Sequence, residues 1–188
     1  MKALKNISAI ILIITLSVLV GFFAQFVKTS YDRAQHPLKY SDIVSQYAEE
    51  YRVPEIIVYS VIKCESSFDS AAVSSSGAIG LMQIKPSTFE YLCEKKGTSY
   101  ESGMLYDPKT NIEYGVYYLS MLRQRFGIWE NVFAAYNGGP SRVDQWIKEG
   151  RVNDSGRLVD IPLSETATYV ERVTKAMAKY ASLYFSDK

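Results

Sequence analysis

Residues 7–27 form an almost unbroken apolar run, and nothing else in the 188-residue sequence restricts the fold as severely. At ~1.5 Å per residue, a stretch of that length reaches across the hydrocarbon core of a bilayer, where a helix satisfies its own backbone. Lys2 and Lys5 precede it. Residues 1–27 therefore read as an uncleaved membrane anchor. A cleaved signal peptide is the competing reading, but its apolar core would span about 7–15 residues, and no Ala-x-Ala-like site closes this one. The run contains no cysteine to carry a lipid, so the helix itself is the anchor. Lys28, Arg33 and Lys39 follow the span, and with positive charge on both sides the positive-inside rule selects no orientation. Residues 28–39, polar and containing Pro37, read as a linker.

The remaining residues, 40–188, suffice for one domain with its own core. Ser41-Asp42 offers an N-cap to a helix carrying Ile43, Val44, Tyr47 and Ala48 on one face. Pro54 opens a strongly apolar helix through Ile62. Pro86 opens a third helix, closed by Gly97, and residues 103–107 read as a turn. Asp107-Pro108 starts a long helix with Ile112, Val116, Leu119 and Leu122 on a common face. Residues 129–135 resume helix until the breaker Tyr136-Asn137-Gly138-Gly139-Pro140, and residues 143–148 form a short amphipathic helix. Residues 150–162 are polar loop, after which Ser164 caps a last helix through Tyr169, Val170, Val173, Met177, Tyr180 and Leu183. Only residues 157–161 approach a period-2 pattern, so the expected class is all-α or nearly so.

Several chemistries are excluded early. A net charge of +1 lacks the clustered basic excess of a nucleic-acid binder. The sequence has one histidine, His36, and two cysteines, Cys64 and Cys93, which suits neither a structural zinc site nor a thiol nucleophile with its base. No Asp-rich calcium loop is present, and no metal or cofactor is expected. The two cysteines are compatible with one disulfide or with two buried thiols.

The chemistry-bearing stretch is Cys64-Glu65-Ser66-Ser67-Phe68, followed by Ser74-Ser75-Ser76-Gly77-Ala78-Ile79-Gly80-Leu81-Met82-Gln83. It sets one carboxyl where an apolar helix runs out into a glycine-containing loop. At a helix C-terminus that carboxyl lacks the favourable positive end of the dipole, and among Ile, Val and Phe its neutral form is favoured. Such a glutamic acid serves as a proton donor near neutral pH. A Glu-Ser pair at a helix end is, taken alone, usually a solvated terminus. Gly77 and Gly80 shift the balance, because they let a bulky substrate pass close to the backbone. Asp69 reads as a turn residue rather than a second acid, so the usual glycosidase carboxylate pair is missing.

Glu65-Ser66, Gly80-Leu81-Met82-Gln83 and Ala135-Tyr136-Asn137-Gly138-Gly139-Pro140 resemble, in order and spacing, the three signature motifs of the soluble-lytic-transglycosylase-like domain of bacterial peptidoglycan lytic transglycosylases. Ile161-Pro162-Leu163-Ser164-Glu165-Thr166-Ala167-Thr168-Tyr169-Val170 is similar to the Glu-Thr-x-x-Tyr-Val stretch near that domain's end. The resemblance spans roughly residues 40–185. It implies a lysozyme-like fold and peptidoglycan glycan strands as the partner. It implies cleavage of the β-1,4 bond between N-acetylmuramic acid and N-acetylglucosamine without hydrolysis, leaving a 1,6-anhydromuramoyl end. Glu65 would act first as acid and then as base. Substrate contacts would come from Ser74, Gln83, Tyr136, Asn137, Glu165 and Tyr169, with Ser66, Gly80, Leu81 and Met82 supporting the motifs.

Read from their own chemistry, these residues keep alternatives open. The Gln83 amide both donates and accepts toward an acetamide, whereas Ser74 alone reads as a loop-stabilising serine. Tyr136 and Met82 suit a core as well as a cleft. Glu165 is also an ordinary first-turn acid, on one helical face with Tyr169. Lys85 stands where relatives often carry methionine, Ala167 where many carry arginine, and Asp69 where asparagine is common; subsite and peptide-stem contacts are affected. A goose-type lysozyme-like hydrolase and a non-catalytic glycan-binding module are the competing functions. The apolar run makes a single-pass membrane protein the expectation, the resemblance implies that its domain faces the cell wall, and no residue names a protein partner.

Overall fold

A computed structural model describes the backbone of residues 2–185 and the side chains of residues 11–185 apart from Ser102. Met1 and residues 186–188, the ends of the expected anchor and domain, lie outside the described residues. The chain divides into two units, the second beginning at Leu38. The first is one helix, α1 (Lys2–Gln35), long and apolar enough to cross a membrane. Along it Ile13, Leu16, Phe22 and Phe26 are all exposed. The helix continues through residues 28–35, which the sequence suggested as linker. Those residues are polar but contain no helix breaker, and the first one, Pro37, restricts His36 and ends the run.

Among its described residues the second unit holds seven α-helices: α2 (Ser41–Tyr51), α3 (Glu55–Glu65), α4 (Pro86–Lys96), α5 (Pro108–Phe126), α6 (Trp129–Gly138), α7 (Pro140–Lys148) and α8 (Ser164–Tyr184). A 3₁₀ turn, Ser102–Tyr106, precedes α5. Among the described residues the only extended pairings are isolated bridges, so the all-α expectation holds. The six consecutive residues Ile57 to Ile62 of α3 are buried, which makes α3 the central helix, enclosed on every face. Helix α8 packs along it, with Tyr180 stacked on Tyr59 at 5.7 Å. Helix α6 packs against both α8 and α5, and α5 against α2.

Helix boundaries follow the expected chemistry in part. Asp107 caps α5 by accepting from the Thr110 N–H at 2.8 Å, with Pro108 at the first helical position, and Gly97 closes α4 with a left-handed φ of 68°. Ser41 and Ser164 are not caps. Each is already the first helical residue, because the Tyr40 and Leu163 carbonyls accept the opening helical bonds from Val44 and Ala167. Tyr136 and Asn137 are likewise not turn residues. Helix α6 includes them and ends at Gly138, and the break is Gly139, at a φ of 92°. Cys64 and Cys93 are free thiols.

Candidate active site

Helix α3 ends at Glu65, and the chain leaves it under strain. Ser67 and Phe68 both take left-handed φ angles, 51° and 68°, a conformation costing a non-glycine residue about 1 kcal/mol or more. Burial of the Phe68 ring holds the turn in place. So does Ser66, whose hydroxyl donates to the Leu81 carbonyl at 2.8 Å and ties the helix end to the glycine loop.

That loop is pinned from below by Asn111 of α5, a fully buried residue. Its side-chain carbonyl accepts the Met82 N–H at 2.8 Å, and its amide donates to the Ile79 and Leu105 carbonyls at 2.9 and 2.8 Å. Gly80 lies so close that a Cβ there would sit 2.2 Å from the Asn111 amide nitrogen, and its φ of 79° is one that side chains resist. Leu81 and Met82 are fully buried, Met82 packing into the space left by Gly115. Tyr136 donates its hydroxyl to the Met82 carbonyl at 2.7 Å. Ser66, Gly80, Leu81 and Met82 thus form the underside of the site and do not line it.

Above them opens a cleft of about 470 Å³. Glu65, Ser74 and Gln83 line it beside Tyr136, Asn137 and Glu165, bringing together the expected acid and five of the six contact residues expected from the sequence. The sixth, Tyr169, lies behind the wall, buried one helical turn beyond Glu165. Ser74 accepts the Ala78 N–H at 3.0 Å and bonds to Ser76, so it shapes the loop as well as facing the cleft. Gln83, itself at a left-handed φ of 48°, donates its amide to the Ala72 and Gly80 carbonyls at 3.1 and 2.9 Å. With both donors engaged, the side chain has its oxygen left to offer, as an acceptor only. The Asn137 oxygen accepts from buried Thr166 at 2.8 Å, leaving its amide as donor. Thr166 also explains Gly138, where a Cβ would lie 2.9 Å from the threonine hydroxyl.

Burial raises the Glu65 carboxyl from 4.5 to about 7, an elevation opposed by the Tyr169 phenol and, more remotely, by Arg172. Arg172 spends its guanidinium on the Cys64 carbonyl at the end of α3. Tyr169 stands close enough to favour the carboxylate, yet its hydroxyl makes no hydrogen bond of regular geometry among the described residues. Burial first, and then the Glu65 charge, push both Tyr136 and Tyr169 well above the usual phenol range, so they remain neutral donors. Asp69 is no partner acid: it accepts the Ala71 N–H at 2.9 Å in a local turn and does not line the cleft. The other carboxyl in the cleft is Glu165.

Four participants escaped the sequence reading. Tyr118 lines the cleft with its ring tilted on Tyr136 at 5.4 Å, and Arg142 lines it from α7. Asn111 and Thr166 are the buried supports. Asn111 carried a readable signal, since it shares a helical face with Gly115, Tyr118 and Leu122, where a polar residue needs a partner.

Fold and cleft together define an all-α domain that holds one part-buried carboxyl, its neutral form favoured by desolvation, in a polar cleft. A family model for the transglycosylase SLT domain matches residues 42–156, and the chain belongs to that family. It is 36% identical over 158 residues to the soluble lytic murein transglycosylase of Escherichia coli (strain K12), covering 81% of this chain and 24% of that one. It is 32% identical over 187 residues to the membrane-bound lytic murein transglycosylase E of Buchnera aphidicola, covering 88% and 84%. The chain spans about a quarter of the length of the soluble relatives. Among solved structures it is similar to the 70 kDa soluble lytic transglycosylase of Escherichia coli, with a TM-score of 0.75, 34% identity, and coverage of 84% of this chain and 26% of that one. An inactive glutamate-to-glutamine variant of a lytic transglycosylase from Pseudomonas aeruginosa matches with a TM-score of 0.72 at 30% identity, covering 81% and 25%. The fold is the lysozyme-like one that the motifs implied.

Proposed function

We propose that this protein is a membrane-anchored peptidoglycan lytic transglycosylase that uses Glu65 alone as acid and then base. The observation that carries the reading is a carboxyl raised to about 7 in a cleft that also presents Tyr136, Asn137 and Gln83. Near neutral pH a large share of such a carboxyl keeps its proton, and the conjugate base is strong enough to take one back.

In the first half of the reaction Glu65 gives its proton to the glycosidic oxygen between N-acetylmuramic acid and N-acetylglucosamine, and the C1–O bond breaks. The acetamido oxygen of the muramoyl residue supports the electron-poor C1. In the second half the Glu65 carboxylate removes the C6 hydroxyl proton as that oxygen bonds to C1. The 1,6-anhydro ring closes, the acid is restored, and no water is consumed. Gln83 accepts from the acetamido N–H, and the Asn137 amide and the Ser74 hydroxyl hydrogen-bond the sugar. Tyr136 steadies the loop beside the carboxyl through the Met82 carbonyl, and the neutral Tyr169 phenol favours the carboxylate once the proton has left. Helix α1 crosses the membrane once and the domain faces the cell wall, a reading supported by the length and apolarity of that helix and by relatives named as membrane-bound.

Glu165 favours a second reading: a carboxyl in the same cleft is what a lysozyme-like hydrolase would need to activate water. Digestion of purified peptidoglycan with mass analysis of the fragments separates the two. The transglycosylase predicts muropeptides lighter by one water than hydrolytic products; fragments of full hydrolytic mass would contradict it.

A further inference from the structure

Four charged side chains line the cleft among the described residues: Glu65, Lys85, Arg142 and Glu165. Arg142 directs a guanidinium N–H to the Gly138 carbonyl at 3.1 Å, at the junction of α6 and α7, so its position is tied to the protein. Lys85 differs. Its ammonium has no hydrogen bond or ion pair with any described residue, and the side chain is exposed.

An exposed lysine is ordinarily a solvated surface group, with its head free to wander. Here the root of the side chain is fixed. Ile84 exchanges both backbone hydrogen bonds with Ile79 and is buried. Pro86 restricts its predecessor to extended geometry, and Lys85 accordingly sits at φ −73°, ψ 142°. In an extended segment neighbouring side chains point oppositely, so burial of Ile84 turns Lys85 outward to the cleft, two residues beyond Gln83. Among the described residues neither cleft cation has an acidic partner, but Arg142 is bound to the Gly138 carbonyl, so Lys85 is the one aimed cation with its ammonium uncommitted. Glu165, entering from α8, disfavours a substrate anion on its own side.

We propose that Lys85 is a specificity residue whose ammonium pairs with a carboxylate on the muramoyl side of the substrate, giving anionic strands an advantage over neutral ones. The inference rests on the transglycosylase reading above and names the strand chemistry which that site selects. Two sources supply the same group: the lactyl carboxylate of a muramoyl residue stripped of its peptide, and the carboxylates of the peptide stem.

The test uses the full chain in detergent micelles, with kcat and KM measured on peptide-bearing strands, on amidase-stripped strands, and on both after conversion of their carboxylates to methylamides. The expected KM is about three- to fivefold lower for the carboxylate form, the size of an exposed ion pair, with kcat changed less than twofold. Lys85→Gln removes that contrast and Lys85→Arg keeps it. A contrast confined to stripped strands identifies the lactyl group, and one confined to peptide-bearing strands identifies the stem. If wild type shows no contrast, or Lys85→Gln retains it, the assignment of Lys85 is wrong. A wild-type chain that releases anhydro products from none of the strands contradicts the transglycosylase reading itself.

Discussion

Glu65 and Lys96 are both ionisable groups drawn into the protein, and they end in opposite states. Lys96 closes α4 inside a ring of partners. Its ammonium pairs with Glu113, donates to the Tyr51 hydroxyl at 2.8 Å, and lies 4.9–5.6 Å from the ring centres of Tyr51, Tyr114 and Tyr117. Burial works against the charge there, but Glu113 and Tyr51 outweigh it and hold the lysine protonated far above its ordinary range. Glu65 has no such cation. Arg172 is committed to a backbone carbonyl, a phenol is the nearest help, and burial prevails. A buried charge given matched partners becomes a structural joint, here between α2, α4 and α5. One left short of partners keeps its proton available for chemistry.

The contrast is broken most severely at Glu65. Glu65→Gln keeps the shape and removes the transferable proton, and glycan-strand cleavage should fall by about 10²–10⁴-fold in a turnover assay. The same substitution should stabilise the fold at alkaline pH. The folded-state value of about 7 lies above the ordinary 4.5, so the protonated carboxyl favours the folded chain fully below about pH 4.5, and this contribution is lost as pH rises through about 7. Relative to the glutamine variant, wild type should lose on the order of 3 kcal/mol across that interval, read by urea unfolding at several pH values.

Lys96→Met should behave conversely. Both side chains of the pair are about a fifth exposed, so the loss is that of a partly screened pair, about 1–2 kcal/mol by denaturant unfolding, with kcat per folded molecule within twofold of wild type. Equal activity losses in the two variants would erase the distinction. The smallest effect sharpens it. Tyr169 pulls the Glu65 value down, so Tyr169→Phe should move the alkaline limb of the pH–rate profile upward, with kcat little changed below the midpoint.

What was legible in the sequence was local. The apolar run of α3, the acid at its end, the glycine loop and the Asp107-Pro108 helix start are each written in a few adjacent residues. The errors came where a distant contact decides. Two adjacent glycines read as a breaker, yet α6 carries Tyr136 and Asn137 because Gly138 is there to fit beneath Thr166, 28 residues away along the chain. The capping serines were displaced by one residue, since α2 begins directly after the left-handed Tyr40 and α8 directly after the extended Leu163. Gln83 read as a two-way hydrogen-bonding group, but the loop's own carbonyls claim its donors. Asn111 was legible as a polar residue on a buried helical face, but not its role, because its partners lie on the glycine loop and in the 3₁₀ turn.

The direct test is a ¹³C titration of the Glu65 side-chain carboxyl in the full chain, assigned by difference against Glu65→Gln. A midpoint near pH 7, coinciding with the alkaline fall of kcat/KM, is the predicted result. A midpoint near 4.5 would mean that the carboxyl is ionised at working pH, and the account of a lone buried proton carrier would not stand.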